Sequence, residues 1–129
     1  MRKLIILIFI SIFLFSCQKD KCATIVGEWE QIARYSKDAS GQYSWIYLQE
    51  AKYPARISFT TDGKYNMVFR EPIGSGKYQY NYAAKQLKIE DQLSGTISTS
   101  PVSYLDEDYL VIDKINNGEL IESNKYQRK

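Results

Sequence analysis

The stretch ARISFTTDGKYNMVFREPIGSGKYQYNY, residues Ala55–Tyr82, decides the fold. Ala55, Ile57 and Phe59 alternate with Arg56, Ser58 and Thr60, the period of two that marks a half-buried strand. Thr61-Asp62-Gly63-Lys64 then supplies hairpin chemistry, because Asp-Gly accepts the positive φ that tight turns demand. Tyr65, Met67 and Phe69 carry an apolar face onward, opposite Asn66 and Arg70. Glu71–Gly76 reads as a turn. After it Tyr78, Tyr80 and Tyr82 interleave with Lys77, Gln79 and Asn81.

Outward from this core the pattern repeats, and no long stretch has a helical period. Ala83-Ala84-Lys85 reads as a tight connection into Gln86–Glu90, where Leu87 and Ile89 share a face. Gly95–Tyr104 is a weaker strand, and Pro101 within it predicts an edge or a bulge. Tyr109–Ile115 is nearly continuously apolar, as a strand covered on both faces would be. Asn116-Asn117-Gly118 is a turn, and Leu120–Gln127 closes the chain. With Ile25–Tyr35 in front, eight strands are expected, and Tyr43–Gln49 is a ninth or an ordered flap. Eight short antiparallel strands fit an all-β, up-and-down barrel, which removes exposed edges by closing on itself. An open β-sandwich is the alternative.

Ahead of this domain lies a different kind of sequence. Arg2 and Lys3 precede Leu4–Phe15, which is apolar except for Ser11. That run is shorter than the ~20 residues a bilayer-spanning helix needs, and it fits a secretory h-region. Leu14-Phe15-Ser16-Cys17 resembles the bacterial lipobox. The resemblance implies that Met1–Ser16 is removed, that Cys17 carries the acyl chains, and that residues 17–23 tether a domain spanning 24–129. Several acyl chains make a stable membrane anchor where one is marginal. Gln18 rather than Asp after the cysteine points to the outer membrane, facing the periplasm or the cell surface. Cys22 has no partner in the sequence once Cys17 is acylated.

Composition narrows the chemistry. Lysine and arginine number 17 against 15 acids; Arg2 and Lys3 leave with the signal, and the remainder balance. A neutral domain lacks the basic surplus of a nucleic-acid binder. There is no histidine, which excludes imidazole metal sites and every histidine-dependent catalytic scheme. The reading is therefore non-catalytic, with no cofactor and no metal.

Gly27-Glu28-Trp29, at the start of the first strand, matches the G-x-W motif of lipocalins, and Arg128 follows the last strand in Tyr126-Gln127-Arg128. Phe59–Gly63, Gly76-Lys77-Tyr78 and the terminal Tyr-x-Arg also resemble small bacterial lipocalin-like lipoproteins. The resemblance runs from about Ile25 to Arg128. It implies a barrel whose floor is closed by Arg128 packed over Trp29, and a cup for a small apolar or amphipathic molecule. Gly27, Trp29 and Arg128 are thus structural-closure residues.

The eleven tyrosines are the compositional anomaly. A phenol pairs an apolar body with a hydroxyl that seeks a partner when buried. Tyr65, Met67, Phe69, Tyr78, Tyr80 and Tyr82 are the candidate ligand-binding wall; the same side chains could instead fill the interior. Tyr43, Trp45 and Tyr47 are the alternative surface, able to contact an envelope protein or a glycan. Asp106, Glu107 and Asp108 read as a solvated turn, and Gly74-Ser75-Gly76 lacks the lysine pattern and helix of a phosphate cradle.

Overall fold

The computed structural model describes residues 23–48 and 54–129. The expected signal Met1–Ser16, the expected acylation site Cys17, Cys22 and the end of the Tyr43–Gln49 segment lie outside the described residues. Those described form nine strands and no helix: β1 (Gly27–Lys37), β2 (Tyr43–Tyr47), β3 (Arg56–Phe59), β4 (Lys64–Phe69), β5 (Glu71–Asn81), β6 (Gln86–Asp91), β7 (Ile97–Leu105), β8 (Tyr109–Asn116) and β9 (Glu119–Arg128). Every neighbouring pair is antiparallel, and β9 returns to β1. The sheet is a closed barrel of eight strands plus one extra, not an open sandwich.

The extra strand is β2, and it settles the Tyr43–Gln49 segment as a strand over Tyr43–Tyr47. Both β2 and β3 lie on the same edge of β1: β3 against Gly27–Glu30, β2 against Ala33–Lys37. The Leu48 amide donates to the Ile32 carbonyl (2.8 Å) and the Gln31 amide to the Ala55 carbonyl (2.8 Å). Together β2 and β3 therefore act as one interrupted stave of the wall.

Turn chemistry behaves as the sequence predicts, with one correction. Gly63 at φ 81° makes the β3–β4 turn, while Asn117 (φ 51°) and Gly118 (φ 77°) make a two-residue loop with both central residues at positive φ. Glu71–Gly76, read as a turn, is instead the first half of β5. The chain reverses at Arg70 (φ 63°), with Phe69 directly paired to Glu71. Gly74 and Gly76 serve packing rather than turning. A Cβ on Gly76 would overlap the Glu90 carbonyl oxygen and stand 3.0 Å from the Gln92 nitrogen. Pro101 lies beside a bulge, where the β7–β8 register slips between Val102 and Tyr104. Tyr109–Ile115 is covered on both faces only at its start: Leu110 and Val111 are buried, and Ile115 is exposed.

Because connections alternate between ends, the barrel has two unlike openings. At the floor are the chain entry at Thr24, the turns after β3, β5 and β7, and the C-terminus. At the mouth are the loops after β1, β4, β6 and β8. Trp29, Ile57, Phe59, Tyr65, Leu87, Val102, Leu110 and Tyr126 form one buried cluster, with Ile25 packed beneath. At about 25 cal/mol per Å2 of apolar surface, this cluster is the main source of the fold's stability. The wall itself is not evenly laced. β7 pairs β6 through Ile97–Pro101 and β8 only from Val102 downward. Towards the mouth no ladder joins β7 to β8.

Candidate functional site

The floor shows how the closure residues are held. The Arg128 guanidinium carbon stands 4.2 Å from the centroid of the Trp29 ring. Its three nitrogens donate to the carbonyls of Glu107 (2.6 Å), Val26 (2.7 Å) and Thr24 (2.7 Å). The Trp29 indole N–H donates to the Ile25 carbonyl at 2.9 Å. Gly27 at φ 140° leaves room for the guanidinium, since a Cβ there would lie 2.5 Å from an Arg128 nitrogen. One cation thus ties two separate chain segments, the chain entry at Thr24–Val26 and the turn after β7, to the end of β9 while lying on an aromatic face, where the attraction is worth about 0.5–2 kcal/mol. Each of its three nitrogens is bonded to a backbone carbonyl.

The six candidate wall residues do not form one surface. Tyr65 is buried within the core, Met67 is half-buried against it, and Phe69 stands at the mouth, exposed. Tyr78 lies towards the floor, its ring edge-on to Phe59 at 4.8 Å and its hydroxyl donating to the Thr60 carbonyl at 2.6 Å. Tyr80 and Tyr82 pack edge to face at 4.5 Å, and the Tyr82 hydroxyl accepts from the Ile25 amide at 3.2 Å. These three tyrosines line a cleft of about 310 Å3 at the floor, with Ile25, Thr61 and Gly63. Their position follows from the register: Tyr78, Tyr80 and Tyr82 extend past the start of β4 and end in the floor turn at Ala83–Lys85.

The interior above the core is lined by residues the sequence reading passed over. On β9, Tyr126 faces inward, so Asn124 and Glu122 do too. Gln31 pairs with Tyr126 across the β1–β9 ladder, and its amide donates to the Asn124 side-chain oxygen at 2.7 Å. The ladder then slips between Gln31 and Ala33. The slip turns Arg34 into the lumen, where its Nε lies 2.8 Å from a Glu122 carboxylate oxygen. Opposite, the Tyr65 hydroxyl and the Asp91 carboxylate come within 3.7 and 3.8 Å of where a Gly74 side chain would begin. Burial first, then the Asp91 charge, pushes the Tyr65 hydroxyl above its ordinary value. Polar residues in phase with Trp29 and Tyr126 are a signal that could have revealed Gln31, Asn124 and Glu122. Nothing in the sequence reveals Arg34, because its direction depends on the bulge.

Solvent reaches this layer: the Arg34 and Glu122 side chains are 49% and 23% exposed although both face inward. Tyr126 beneath them is buried. Burial pushes its hydroxyl from 10 to about 12, with Glu122 adding to the rise and Arg34 opposing it. The folded state therefore keeps the phenol protonated where the unfolded chain ionises. The associated stability is complete below pH 10 and is lost as pH climbs towards 12, at roughly 1.4 kcal/mol per pH unit for this one group. Alkaline denaturation followed by circular dichroism should show that slope, and Tyr126→Phe should flatten it.

The remaining candidates resolve into structure. Asp106 caps its turn, accepting from the amides of Asp108 and Tyr109 (both 2.7 Å) and from the Tyr104 hydroxyl (2.6 Å). The Tyr104 bond is the main reason its carboxyl sits below the usual range. Tyr43 packs on the outer wall, stacked on Tyr35 at 5.4 Å with its hydroxyl on the Leu120 carbonyl at 2.7 Å. Trp45 leans on Tyr35 at 5.2 Å yet stays exposed, as does Tyr47. Two concavities of about 620 and 520 Å3 lie outside the wall, sharing Lys64, Lys77 and Glu90. No protein-family model matches the chain, and no curated protein matches it.

Proposed function

We propose that this protein is a lipocalin-like lipoprotein, anchored through Cys17, that holds a small amphipathic molecule in the upper half of its barrel. The observation that carries the reading is the change of lining above the core. Below the Tyr65–Leu87–Tyr126 layer the interior is packed apolar side chains. Above it, Gln31–Asn124, Arg34–Glu122 and Tyr65–Asp91 face a solvent-reached lumen. Of these only Gln31 and Tyr65 are buried, and the Gln31 amide is paired with Asn124, as a buried polar group must be; the others meet solvent that the polar head of a ligand would replace. Beside the same space, the ladder between β7 and β8 stops at Val102, short of the mouth.

This lining suits a molecule with a polar head and an apolar body. The head would exchange water for the Arg34–Glu122 and Gln31–Asn124 groups, and the body would rest on Met67, Ile89 and Ile112, the half-buried apolar residues above the core. Fatty acids, sterols and quinones have that form; a bare hydrocarbon does not. The reading is non-catalytic.

Thermal denaturation against a panel of such molecules tests it. A ligand present at a hundred times its dissociation constant adds about 2.7 kcal/mol of stability. A polar-headed amphipath should raise the melting temperature, and Arg34→Met with Glu122→Leu should abolish the rise while the barrel still folds. No shift from any member would remove the carrier reading. Co-purification of an envelope protein, lost in Trp45→Ala, would favour the scaffold reading in its place.

A further inference from the structure

The two ends of the barrel differ in what they expose. Three of the four mouth connections each carry a pair of large apolar side chains beside the turn: Phe69 and Ile73, Leu93 and Ile97, Ile115 and Ile121. Leu93 is 90% exposed and Ile73 and Ile97 more than half. The floor turns carry Asp62, Lys85 and Asp106–Asp108 instead; the large apolar groups exposed beside them are the rings of Tyr82 and Tyr104, each with a hydroxyl engaged in a hydrogen bond, and no aliphatic residue larger than alanine is exposed there. Scattered exposed apolar residues are ordinary on a protein surface; repeated pairs on successive tips at one end are not.

We propose that the mouth end docks onto a lipid bilayer, the three tips entering its interface together. Three features select a bilayer over a protein partner. The apolar groups project from separate tips around an opening rather than lining a groove, so they meet a flat apolar phase more readily than a folded surface. Trp45 and Tyr47, both exposed, lie on β2 a few residues below the mouth. That is the headgroup level, where tryptophan and tyrosine concentrate in membrane-contacting proteins. The charges near the tips are mixed, with Lys37, Arg70 and Lys114 against Asp38, Glu71, Asp91 and Glu119, so no basic surplus calls for anionic lipid and neutral zwitterionic lipid suffices. Docked this way, the lumen opens towards the bilayer. The proposal concerns the described barrel and rests neither on acylation of Cys17 nor on whether the lumen takes a ligand.

The test uses the segment 23–129, which contains every strand of the ring and the whole floor cluster and lacks the acylated cysteine. It should float with phosphatidylcholine vesicles, and raising salt from about 0.05 to about 0.5 M should leave the bound fraction unchanged, since no charge attraction is being screened. The double variant I73S/L93S should lower the partition coefficient by about tenfold or more. Tyr104→Ser, which removes an exposed ring near the floor, should leave it unchanged. Failure to float would overturn the proposal, as would flotation that salt abolishes. A dimer in solution that dissociates in I73S/L93S would overturn it too, by showing that a second copy covers the tips.

Discussion

Trp29→Ala should destabilise the barrel by about 3–5 kcal/mol, the cost of truncating a fully buried aromatic residue. More than cavity formation is involved. The substitution removes the surface on which Arg128 lies and leaves the Ile25 carbonyl without the indole donor. Ile25 is itself fully buried and is held at the floor by the bonds of the Thr24–Val26 segment to Arg128, Trp29 and Tyr82. Urea denaturation should therefore show a lower midpoint with a reduced slope, because the chain entry loosens in the native state as well. Arg128→Met keeps an apolar arm over the indole but gives up the three carbonyl bonds. It should fall between wild type and Trp29→Ala. An unchanged midpoint for Trp29→Ala would mean that the floor does not depend on the indole.

The second large effect is expected at Gly76. Gly76→Ala places a methyl group against the Glu90 carbonyl and the Gln92 amide, both backbone atoms that cannot rotate away. The β5–β6 ladder must open at its mouth end, where Ser75 accepts from the Gln92 amide and Gly76 pairs with Asp91. Over-packing of this kind costs typically 1–3 kcal/mol, and a clash with backbone belongs at about 3 kcal/mol. Gly41→Ala is the matched control. A Cβ there meets nothing within 4 Å, so its cost is confined to the positive φ of 86°. Hydrogen exchange adds a local readout: the Gln92 amide should lose protection in Gly76→Ala and keep it in Gly41→Ala. Equal melting temperatures for Gly76→Ala and wild type would place Gly76 in a turn after all.

The two glycine-rich pieces illustrate what a linear reading can and cannot separate. Asn117-Gly118 and Gly74-Ser75-Gly76 look alike as local sequence, yet one is a hairpin loop and the other lies inside a strand. In the first case glycine supplies a dihedral angle, which is a property of the residue alone. In the second it supplies clearance for a neighbouring strand, which depends on what comes alongside. The tyrosines divide in the same way. Their alternation correctly marked β5 as a strand with Tyr78 and Tyr80 on its inner side. Their height in the barrel depended on where β4 begins, and the register carries Tyr78–Tyr82 down to the floor.

The amino-acid sequence by itself determined an all-β domain from about Ile25 to Arg128, most of its strands, and the hairpin turns at Gly63 and Asn117-Gly118; it left Tyr43–Gln49 open and took the first half of β5 for a turn. Each feature so determined is encoded within a few residues, through side-chain alternation of period two or the φ preferences of glycine and asparagine. Tertiary structure decided the rest. The slip beyond Gln31 turns Arg34 towards Glu122, the stagger of β5 moves the tyrosines to the floor, and the split pairing of β7 leaves its mouth-side half without a ladder to β8. A bulge or a register is fixed by the hydrogen bonds of the partner strand, and that partner can lie nearly a hundred residues away, as Asn124 does from Gln31. No pattern within one strand carries that information.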